Sequence, residues 1–343
     1  MSKLGIGVLG VGRLGRRHAE NLKHRIPDAH LVAVADADRT VAMQVAEDLE
    51  VEHCYATIDG LLDRKDVQAI VIATSSKFHA ETIEAAAQAG KHVFCEKPVA
   101  LTLEAADAAL AAVSKAGVQL QLGFMRRFDP GYASAKQRID GGDIGDPVIF
   151  KSVGRDKQLP PPRFLEGGVN GTLFSDAAIH DFDLGRWMMN DEIVDVHAFA
   201  GILACPEMAL YNDVDATTVN LRFGRGGIGN VEAFRKSSYG YDIRTEILGT
   251  KGALQVGYLH QTPLLLLSEA GITHDVVDHW LVRFADAYRN ELHDFVACIL
   301  EDRPTRATGE DGRKALAVAL AAERSYRQGQ MISIRVSNTT TVT

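Results

Sequence analysis

The feature that most constrains this chain is its opening segment, in which a glycine-rich turn follows a short apolar run. Residues 4–9 are apolar enough for a strand buried on both faces, and Gly10-Val-Gly-Arg-Leu-Gly15 follows directly. A helix-like segment extends to about Lys23, and a second apolar run, 31–35, ends at Asp36. This order of strand, glycine turn, helix, strand and acid is typical of the first unit of a dinucleotide-binding sheet.

Each glycine of the turn has a physical role in such a unit. Gly10 allows the tight turn, Gly12 lets the backbone approach a pyrophosphate, and Gly15 lets the helix pack against the strand. The helix N-terminus then offers unpaired N–H groups to the phosphates. We therefore predict cofactor contacts from the whole turn, namely from Gly10, Gly12, Arg13, Leu14 and Gly15.

The choice between the two nicotinamide dinucleotides depends on Asp36 and Arg39. Asp36 lies about 20 residues after Gly15, the spacing of an acid that binds the ribose. Its carboxylate would repel a 2′-phosphate, which favours NAD and makes NADP the less favoured cofactor. Arg39 leaves NADP open, because an arginine here can bind that phosphate, or instead stack on adenine or begin a helix in solvent.

The alternation of strands and helices continues through the first third of the chain. The patterns predict strands at 69–74, 92–96 and 118–122, with helices at about 80–90 and 102–116. Such alternation predicts a Rossmann-type doubly wound parallel sheet over residues 1–123. Ligands bind at the carboxyl ends of its strands. The cofactor-site candidates there are Thr74, Ser76, His79, Glu96 and Lys97.

The pattern changes after Gly123, and we assign residues 124–343 to a second, α+β domain. Between 214 and 259 apolar residues alternate with polar ones, which predicts a largely antiparallel, open-faced sheet. The alternation is clearest at two places, with Val219, Leu221 and Phe223 on one face and Asn220 and Arg222 on the other, and again at Leu254, Val256 and Tyr258.

Helices are predicted both before and after this sheet segment along the chain. One covers about 131–140, before a strand at 147–153, and another begins near Ser175. A third covers about 282–301. The last begins at Thr308, where Asp311 completes a capping-box pattern, and ends near Gly329. The Ser/Thr-rich tail after Val336 is predicted to be frayed.

Composition excludes several classes of protein. The formal net charge is −8, a poor basis for binding nucleic acid or anionic membrane. No apolar run approaches the about 18 residues of a membrane helix. The cysteines, Cys54, Cys95, Cys205 and Cys298, lie far apart and lack metal or redox spacing. We expect a cytoplasmic protein with small, buried thiols.

Lys97, Asp176 and His180 are the candidates for the chemistry; the alternatives are a solvated surface lysine and a buried histidine satisfied by a local carboxylate. Lys97 ends a strand beside the expected nicotinamide position, and Asp176 and His180 are four residues apart, on one face of a helix. Histidine is the natural base near neutral pH, a carboxylate fixes its tautomer, and an ammonium group stabilises a developing alkoxide. Asp181 and Asp183 are available as metal ligands, but nothing in their spacing demands coordination, and we predict no metal.

These motifs together give a family resemblance over essentially the whole chain. The glycine turn, Asp36, Glu96-Lys97-Pro98 and the segment from Asp176 to Asp183 resemble the glucose–fructose oxidoreductase/inositol dehydrogenase/MocA (Gfo/Idh/MocA) family. The stretches 123–130 and 155–156 look like those of inositol 2-dehydrogenases. The resemblance implies that Lys97, Asp176 and His180 are the catalytic trio.

The resemblance also implies contacts to substrate hydroxyls and an oligomer. The substrate-binding residues would be Lys97, Arg127, Asp156, Asp176, His180 and Tyr239. The open-faced sheet usually forms an interface in a homodimer or homotetramer. Two segments depart from the family: Thr74-Ser75-Ser76 stands where a Thr-Pro pair is more usual, and 166–172 is individual enough to reshape a polyol pocket.

The resulting hypothesis is an NAD-dependent oxidoreductase that converts a ring carbinol of a cyclic polyol, most concretely inositol, into a ketone (2-keto-myo-inositol). An aldose 1-dehydrogenase or another sugar dehydrogenase of the same family is the alternative of the same class, and an NAD-dependent glycosidase is a further family possibility. A non-catalytic NAD-binding regulator is the alternative from a different class.

Overall fold

The computed structural model describes residues 3–257 and 260–334, which fall into two compact units. Unit 1 is the described part of Met1–Pro130 with Val169–Gly171 and Phe284–Leu316. Unit 2 is Gly131–Gly168 with the described parts of Thr172–Arg283 and Ala317–Thr343. Each unit is therefore discontinuous in sequence, whereas the predicted division places one boundary after residue 123.

The strands and helices are named here in chain order. The strands are β1 (Leu4–Leu9), β2 (Ala29–Ala35), β3 (His53–Tyr55), β4 (Ala69–Ile72), β5 (His92–Glu96), β6 (Leu120–Gly123), β7 (Pro147–Arg155), β8 (Ile193–Gly201), β9 (Ala216–Phe223), β10 (Ile228–Phe234), β11 (Asp242–Gly249), β12 (Ala253–Val256), β13 (Leu265–Ser268), β14 (Gly271–His274) and β15 (Ile332–Ser333). The α-helices are α1 (Arg13–His24), α2 (Arg39–Asp48), α3 (Asp59–Leu62), α4 (His79–Gln88), α5 (Leu103–Ala116), α6 (Pro130–Asp140), α7 (Pro162–Leu165), α8 (Ile179–Met189), α9 (Trp280–Arg283), α10 (Ala285–Leu300) and α11 (Gly309–Gln328).

Unit 1 is built on a six-stranded parallel sheet in the order β3-β2-β1-β4-β5-β6. Its central strands are continuous apolar runs, and Ile6, Val8 and Ile70 are fully buried. Parallel sheets are covered by helices on both faces, so the side chains on both faces of each strand must be apolar. The predicted Rossmann-type sheet is confirmed, and its strand order places the reversal between β1 and β4.

Several helix ends follow from local side chains. The Asp38 carboxylate accepts the Thr40 N–H at the start of α2. Thr102 caps the start of α5, and Gly117, with φ +68°, is its C-cap. The predicted capping box is confirmed: the Asp311 N–H donates to Thr308 Oγ1, and the Thr308 N–H donates to the Asp311 carboxylate.

Unit 2 contains a seven-stranded sheet in the order β12-β11-β7-β10-β9-β8-β15. Only the β7–β10 pair is parallel among the described strands of this sheet. On β9, Val219, Leu221 and Phe223 are buried while Asn220 and Arg222 are exposed, so the alternation is as predicted. Tyr258 and the tail after Val336 lie outside the described residues.

The segment that carries Asp176 differs from the prediction of one helix beginning near Ser175. A π-helical turn, Phe174–Ala178, comes first, and α8 begins only at Ile179. A π turn has a wider hydrogen-bond loop than an α-helix and recurs at functional sites. Asp176 therefore lies on the π turn and His180 in the first turn of α8.

The β13–β14 hairpin of unit 2 was not predicted. It exposes large apolar side chains, with Leu266, Leu267 and Ile272 each more than half exposed. None of the helices in the described part of the chain combines the length and apolar character needed to span a membrane.

Candidate active site

The glycine turn of unit 1 has the geometry that a pyrophosphate requires. Gly10 has φ +82°, and a Cβ there would lie 2.7 Å from the carbonyl oxygen of Ala73. A Cβ at Gly15 would lie 1.7 Å from the Gly10 oxygen, so α1 packs directly on the turn. At Gly12, the N-cap of α1, a Cβ would meet no other described heavy atom within 4 Å. The open N-terminus of α1 therefore fits a dinucleotide phosphate.

Asp36 faces this turn from the end of β2. One carboxylate oxygen accepts the Val11 N–H at 2.8 Å, and the other accepts the Asp38 N–H at 2.9 Å. The acid is partly exposed and each oxygen can accept a further bond, so it can still receive a ribose hydroxyl. Arg39 lies at the first position of α2 and is exposed.

The loop after β4 keeps a path that a Thr-Pro pair would also follow. Ser75 has φ −65°, the value that a proline ring imposes. The next residue, Ser76, is buried, and its N–H donates to Asn170 Oδ1 at 3.0 Å. The Lys77 N–H donates to the Val169 oxygen, so part of the individual segment 166–172 packs on this loop.

His79 contacts the backbone after two neighbouring strands, β4 and β5. Nδ1 lies 2.7 Å from the Pro98 oxygen and Nε2 lies 3.1 Å from the Thr74 oxygen. Burial lowers the pKa of His79, although both carbonyl groups oppose that shift. A neutral ring donates to one of the two oxygens at a time, and both nitrogens face protein carbonyls. The cofactor contact expected of His79 stays a prediction.

The Glu96-Lys97-Pro98 turn at the end of β5 separates two environments. Glu96 is buried, and its Oε1 lies 2.7 Å from His18 Nε2. Lys97 is only partly buried. The turn thus directs one side chain into unit 1 and keeps the next accessible, the placement expected of a lysine that contacts a ligand.

Arg127 lies in a short 3-10 turn, Met125–Phe128, of unit 1 and is 6% exposed. Its guanidinium donates to the Arg306 oxygen at 2.9 Å and pairs with the Asp311 carboxylate at 3.1 Å. The same carboxylate closes the capping box of α11. Arg127 is therefore held by protein groups, and its predicted contact with substrate remains a prediction.

In unit 2, Asp176 belongs to a buried ion-pair network centred on Arg235. The Arg235 guanidinium is fully buried and donates to Asp176 Oδ2 at 3.0 Å and to Asp213 Oδ2 at 3.2 Å. Asp213 also accepts the N–H groups of Leu173 and Val214. Burial opposes the charge of Arg235, but Asp176, Asp213 and Asp156 raise its pKa above the ordinary value. The network fixes the π turn and the Asp176 carboxylate.

The parallel β7–β10 pair brings another predicted residue to this network. Asp156 follows β7, its N–H donates to the Phe234 oxygen at 2.8 Å, and its charge acts on Arg235. Tyr239 is farther along the chain, donates to Asp242 at 2.7 Å and accepts from Arg155. The structure thus groups Asp156 with Asp176, and Tyr239 with Arg155 and Asp242.

The two carboxylates considered as spare metal ligands have protein partners. Asp181 is buried and accepts a hydrogen bond from the Ser152 hydroxyl. Asp183 is buried and lies 3.7 Å from the Arg186 guanidinium. Each is therefore part of the interior of unit 2, and the expectation of no metal stays a prediction.

Sequence reasoning missed Arg235 and Asp213, although a signal for Arg235 exists. Val231 and Ala233 point inward from β10, and Arg235 continues the same parity just beyond the strand. A charged side chain on the buried, apolar face of a sheet needs a buried counter-ion. That argument would have indicated an internal carboxylate partner, though not which one.

Comparison with known proteins gives the same organisation along the whole chain. Residues 4–124 match the family model described as "Oxidoreductase family, NAD-binding Rossmann fold", and residues 136–334 match "Oxidoreductase family, C-terminal alpha/beta domain". The scyllo-inositol 2-dehydrogenase (NAD(+)) of Bacillus subtilis is 40% identical over 329 residues, 96% of each chain. The myo-inositol 2-dehydrogenase of Thermotoga maritima is 36% identical, covering 96% of this chain and 98% of that protein.

A solved structure has the same fold as this chain. Scyllo-inositol dehydrogenase from Lactobacillus casei, with bound NAD(H) and scyllo-inositol, superposes with a TM-score of 0.92. It is 32% identical, and the match covers 97% of this chain and 99% of that one. With both domains matched by family models and a relative aligned over 96% of the chain, the chain belongs to the Gfo/Idh/MocA oxidoreductase family.

Proposed function

We propose that this protein is an NAD-dependent inositol dehydrogenase that oxidises one ring carbinol to a ketone. The observation that carries the proposal is the full-length similarity to dehydrogenases named for inositol, one of them solved with both NAD(H) and scyllo-inositol bound. The glycine turn and Asp36 supply the residues that such a cofactor needs, and Lys97, Asp176 and His180 supply the acid–base groups.

Bound NAD would supply the hydride acceptor for oxidation of the carbinol, and the residues of this chain would have to remove the hydroxyl proton. We assign proton removal to His180, because neutral imidazole is a base near physiological pH. Asp176 would fix the tautomer of that ring and stabilise the imidazolium. The ammonium group of Lys97 would donate to the alkoxide as it forms. The products are a keto-inositol and reduced cofactor.

Asp176 can serve in this way because Arg235 holds its carboxylate. A carboxylate has about four acceptor positions, so the charged hydrogen bond from Arg235 at 3.0 Å is compatible with a bond from the histidine or substrate. Asp156 is the second substrate-binding candidate of the same network, since its charge acts on Arg235. Tyr239, 42% exposed, offers a hydroxyl, and Arg127 would contact substrate only beyond its pairing with Asp311.

We further propose NAD over NADP, a homo-oligomer and a cytoplasmic location. Asp36 disfavours a 2′-phosphate by charge repulsion. The exposed apolar side chains of the β13–β14 hairpin support burial against a second copy of the chain. The four cysteines are free, which is usual in a reducing compartment.

The test is a steady-state screen of the purified protein by NADH absorbance. Myo-inositol, scyllo-inositol and a panel of aldoses are each offered with NAD and with NADP. We expect the highest kcat/KM with an inositol and NAD. A higher value with an aldose would assign an aldose dehydrogenase, and glycoside cleavage without net NADH would assign a glycosidase. Cofactor binding without turnover of any substrate would leave a regulatory protein.

A further inference from the structure

Three titratable side chains from different elements meet in the interior of unit 1. His18 comes from α1, Glu96 from the end of β5 and Glu291 from α10, and they are 0%, 6% and 0% exposed. One nitrogen or oxygen of each lies within 4.8 Å of one from each of the others. His18 Nε2 and Glu96 Oε1 are 2.7 Å apart, the distance of a direct hydrogen bond.

The walls around this cluster are closely packed. The rings of Phe94 and Tyr288 lie edge-on to the His18 imidazole, with centroids 5.4 and 5.9 Å away. A Cβ at Gly123 would lie 2.7 Å from Glu96 Oε2, so the glycine leaves room for the carboxylate. Gln121 donates to the Glu291 backbone oxygen at 2.8 Å, which joins β6 to α10 beside the cluster.

The Glu291 carboxyl group is the least satisfied member. Neither of its oxygens has a hydrogen-bond partner within the described ranges, and the residue is fully buried. An ionised carboxylate in that position is highly unfavourable. Burial, and then the charge of Glu96, raise the pKa of Glu291 well above its usual range. Both causes favour a neutral carboxylic acid, whose O–H lies within 4.8 Å of the Glu96 carboxylate.

We propose that His18, Glu96 and Glu291 form a proton-sharing cluster that positions Lys97, with Glu291 as its protonated member. Glu96 is hydrogen-bonded to His18 on one side and lies within 4.8 Å of the Glu291 carboxyl group on the other. Lys97 is the next residue in the chain. His18 lies on the helix that follows the glycine turn, so the cluster links the cofactor-binding helix to the Lys97 turn. This inference rests on the proposed function, because it takes Lys97 as catalytic.

Other titratable groups adjoin the cluster and must be considered in any pH response. They are Lys97, Cys95, His79 and Tyr288. Burial lowers the pKa of His79, while the charges of Glu96 and Lys97 act on it in opposite directions. Burial and Glu96 raise the pKa of Cys95, which keeps that thiol neutral.

A divalent cation is the competing occupant of this space. Ligand atoms about 2.0–2.2 Å from a metal ion must lie roughly 3 Å or more from one another. His18 Nε2 and Glu96 Oε1 are closer than that, and each is already the partner of the other. The geometry therefore favours a shared proton over a metal ion.

The experiment compares Glu291→Gln and Glu291→Leu with the wild type, and uses Glu310→Gln as the matched control at an exposed glutamate. Infrared difference spectra at neutral pH are expected to contain the carbonyl stretch of a protonated carboxylic acid, lost in Glu291→Gln and unchanged in Glu310→Gln. Glu291→Gln keeps a donor, so its kcat should stay within about twofold of wild type, whereas Glu291→Leu should lower kcat about tenfold.

Each contrary result has a definite meaning. Absence of the protonated band would overturn the proposal. So would equal kcat values for the leucine and wild-type proteins, or a stoichiometric divalent metal lost on Glu291→Gln. If the wild type turns over no polyol or sugar, the proposed function fails and the positioning of Lys97 with it, while the infrared band separately decides whether Glu291 is protonated.

Discussion

Replacing Arg235 by methionine is the perturbation with the largest expected effect on unit 2. The substitution keeps most of the side-chain volume and removes the guanidinium that pairs with both Asp176 and Asp213. Two carboxylates would then remain in or near the interior without that partner. Because Asp213 also accepts two backbone N–H groups beside the π turn, the loss should be felt where Asp176 is held.

The magnitude follows from burial. Removing one partner of a buried ion pair lowers stability by about 3–5 kcal/mol. The side chains of Arg235, Asp213 and Asp176 are 0%, 5% and 14% exposed, so water can recover only part of the solvation of Asp176. We therefore expect the lower end, about 3 kcal/mol, which is a large share of the about 5–15 kcal/mol of a typical protein.

Denaturant unfolding followed by tryptophan fluorescence is a suitable assay. Both tryptophans, Trp187 on α8 and Trp280 on α9, belong to unit 2. The control is Arg222→Met, where the arginine is 61% exposed and 3.5 Å from Asp195, and a loss below about 1 kcal/mol is expected. Adding Asp213→Asn to Arg235→Met removes a stranded charge and should restore about 1 kcal/mol or more.

The reasoning would be refuted if Arg235→Met lost no more stability than Arg222→Met. It would also be refuted if Asp213→Asn lowered the free energy of unfolding by the same amount in the Arg235→Met protein as in the wild type. The two changes would then be independent. Arg235→Lys keeps a charge but not the two-pronged geometry, so kcat with an inositol should fall about 10–100-fold even where the fold is retained.

Three further predictions concern the cofactor, the lysine and pH. Lys97→Met should bind NAD in a calorimetric titration yet lose at least about 100-fold in kcat, unlike the exposed control Lys65→Met; unchanged turnover would remove Lys97 from the mechanism. Asp36→Asn should raise the NADP-to-NAD ratio of kcat/KM about tenfold, and Asp28→Asn should not. Because burial lowers the pKa of His79, the unfolded chain binds a proton that the folded chain does not. As the pH drops below about 6.5, the free energy of unfolding should therefore decrease by up to about 1.4 kcal/mol per pH unit, and less steeply in His79→Gln. Parallel plots of unfolding free energy against pH for the two proteins would contradict this.

The fold of unit 1 could be predicted because its constraints are local. A strand buried on both faces is a continuous apolar run, and residues 4–9 and 69–72 are such runs. The roles of Gly10 and Gly15 follow from close backbone approaches within the turn and to the end of β4. The capping box at Thr308 spans only one helical turn. In each case the pattern and its partner lie within a few residues or in adjacent strands.

The buried charged residues that support the candidate site could not be predicted from local sequence patterns. Arg235 and Asp176 are far apart in sequence, and Glu96 and Glu291 are farther still. Periodicity does place Glu291 on the buried face of α10, with Ala287, Tyr288 and Phe295. It indicates that an acid is inside, but the partner depends on how helices and strands pack.

A stability comparison separates a structural from a functional origin of these buried charges. Replacing a buried ionic or polar group by an apolar one of similar size is often neutral or stabilising when no charge is stranded. Glu291 is the cleaner case, since its carboxyl oxygens have no hydrogen-bond partner among the described residues. Glu291→Leu should therefore hold or raise the free energy of unfolding while it lowers kcat. A purely structural acid would move both quantities downward together, so opposite signs would indicate a group retained for Lys97 at the expense of stability.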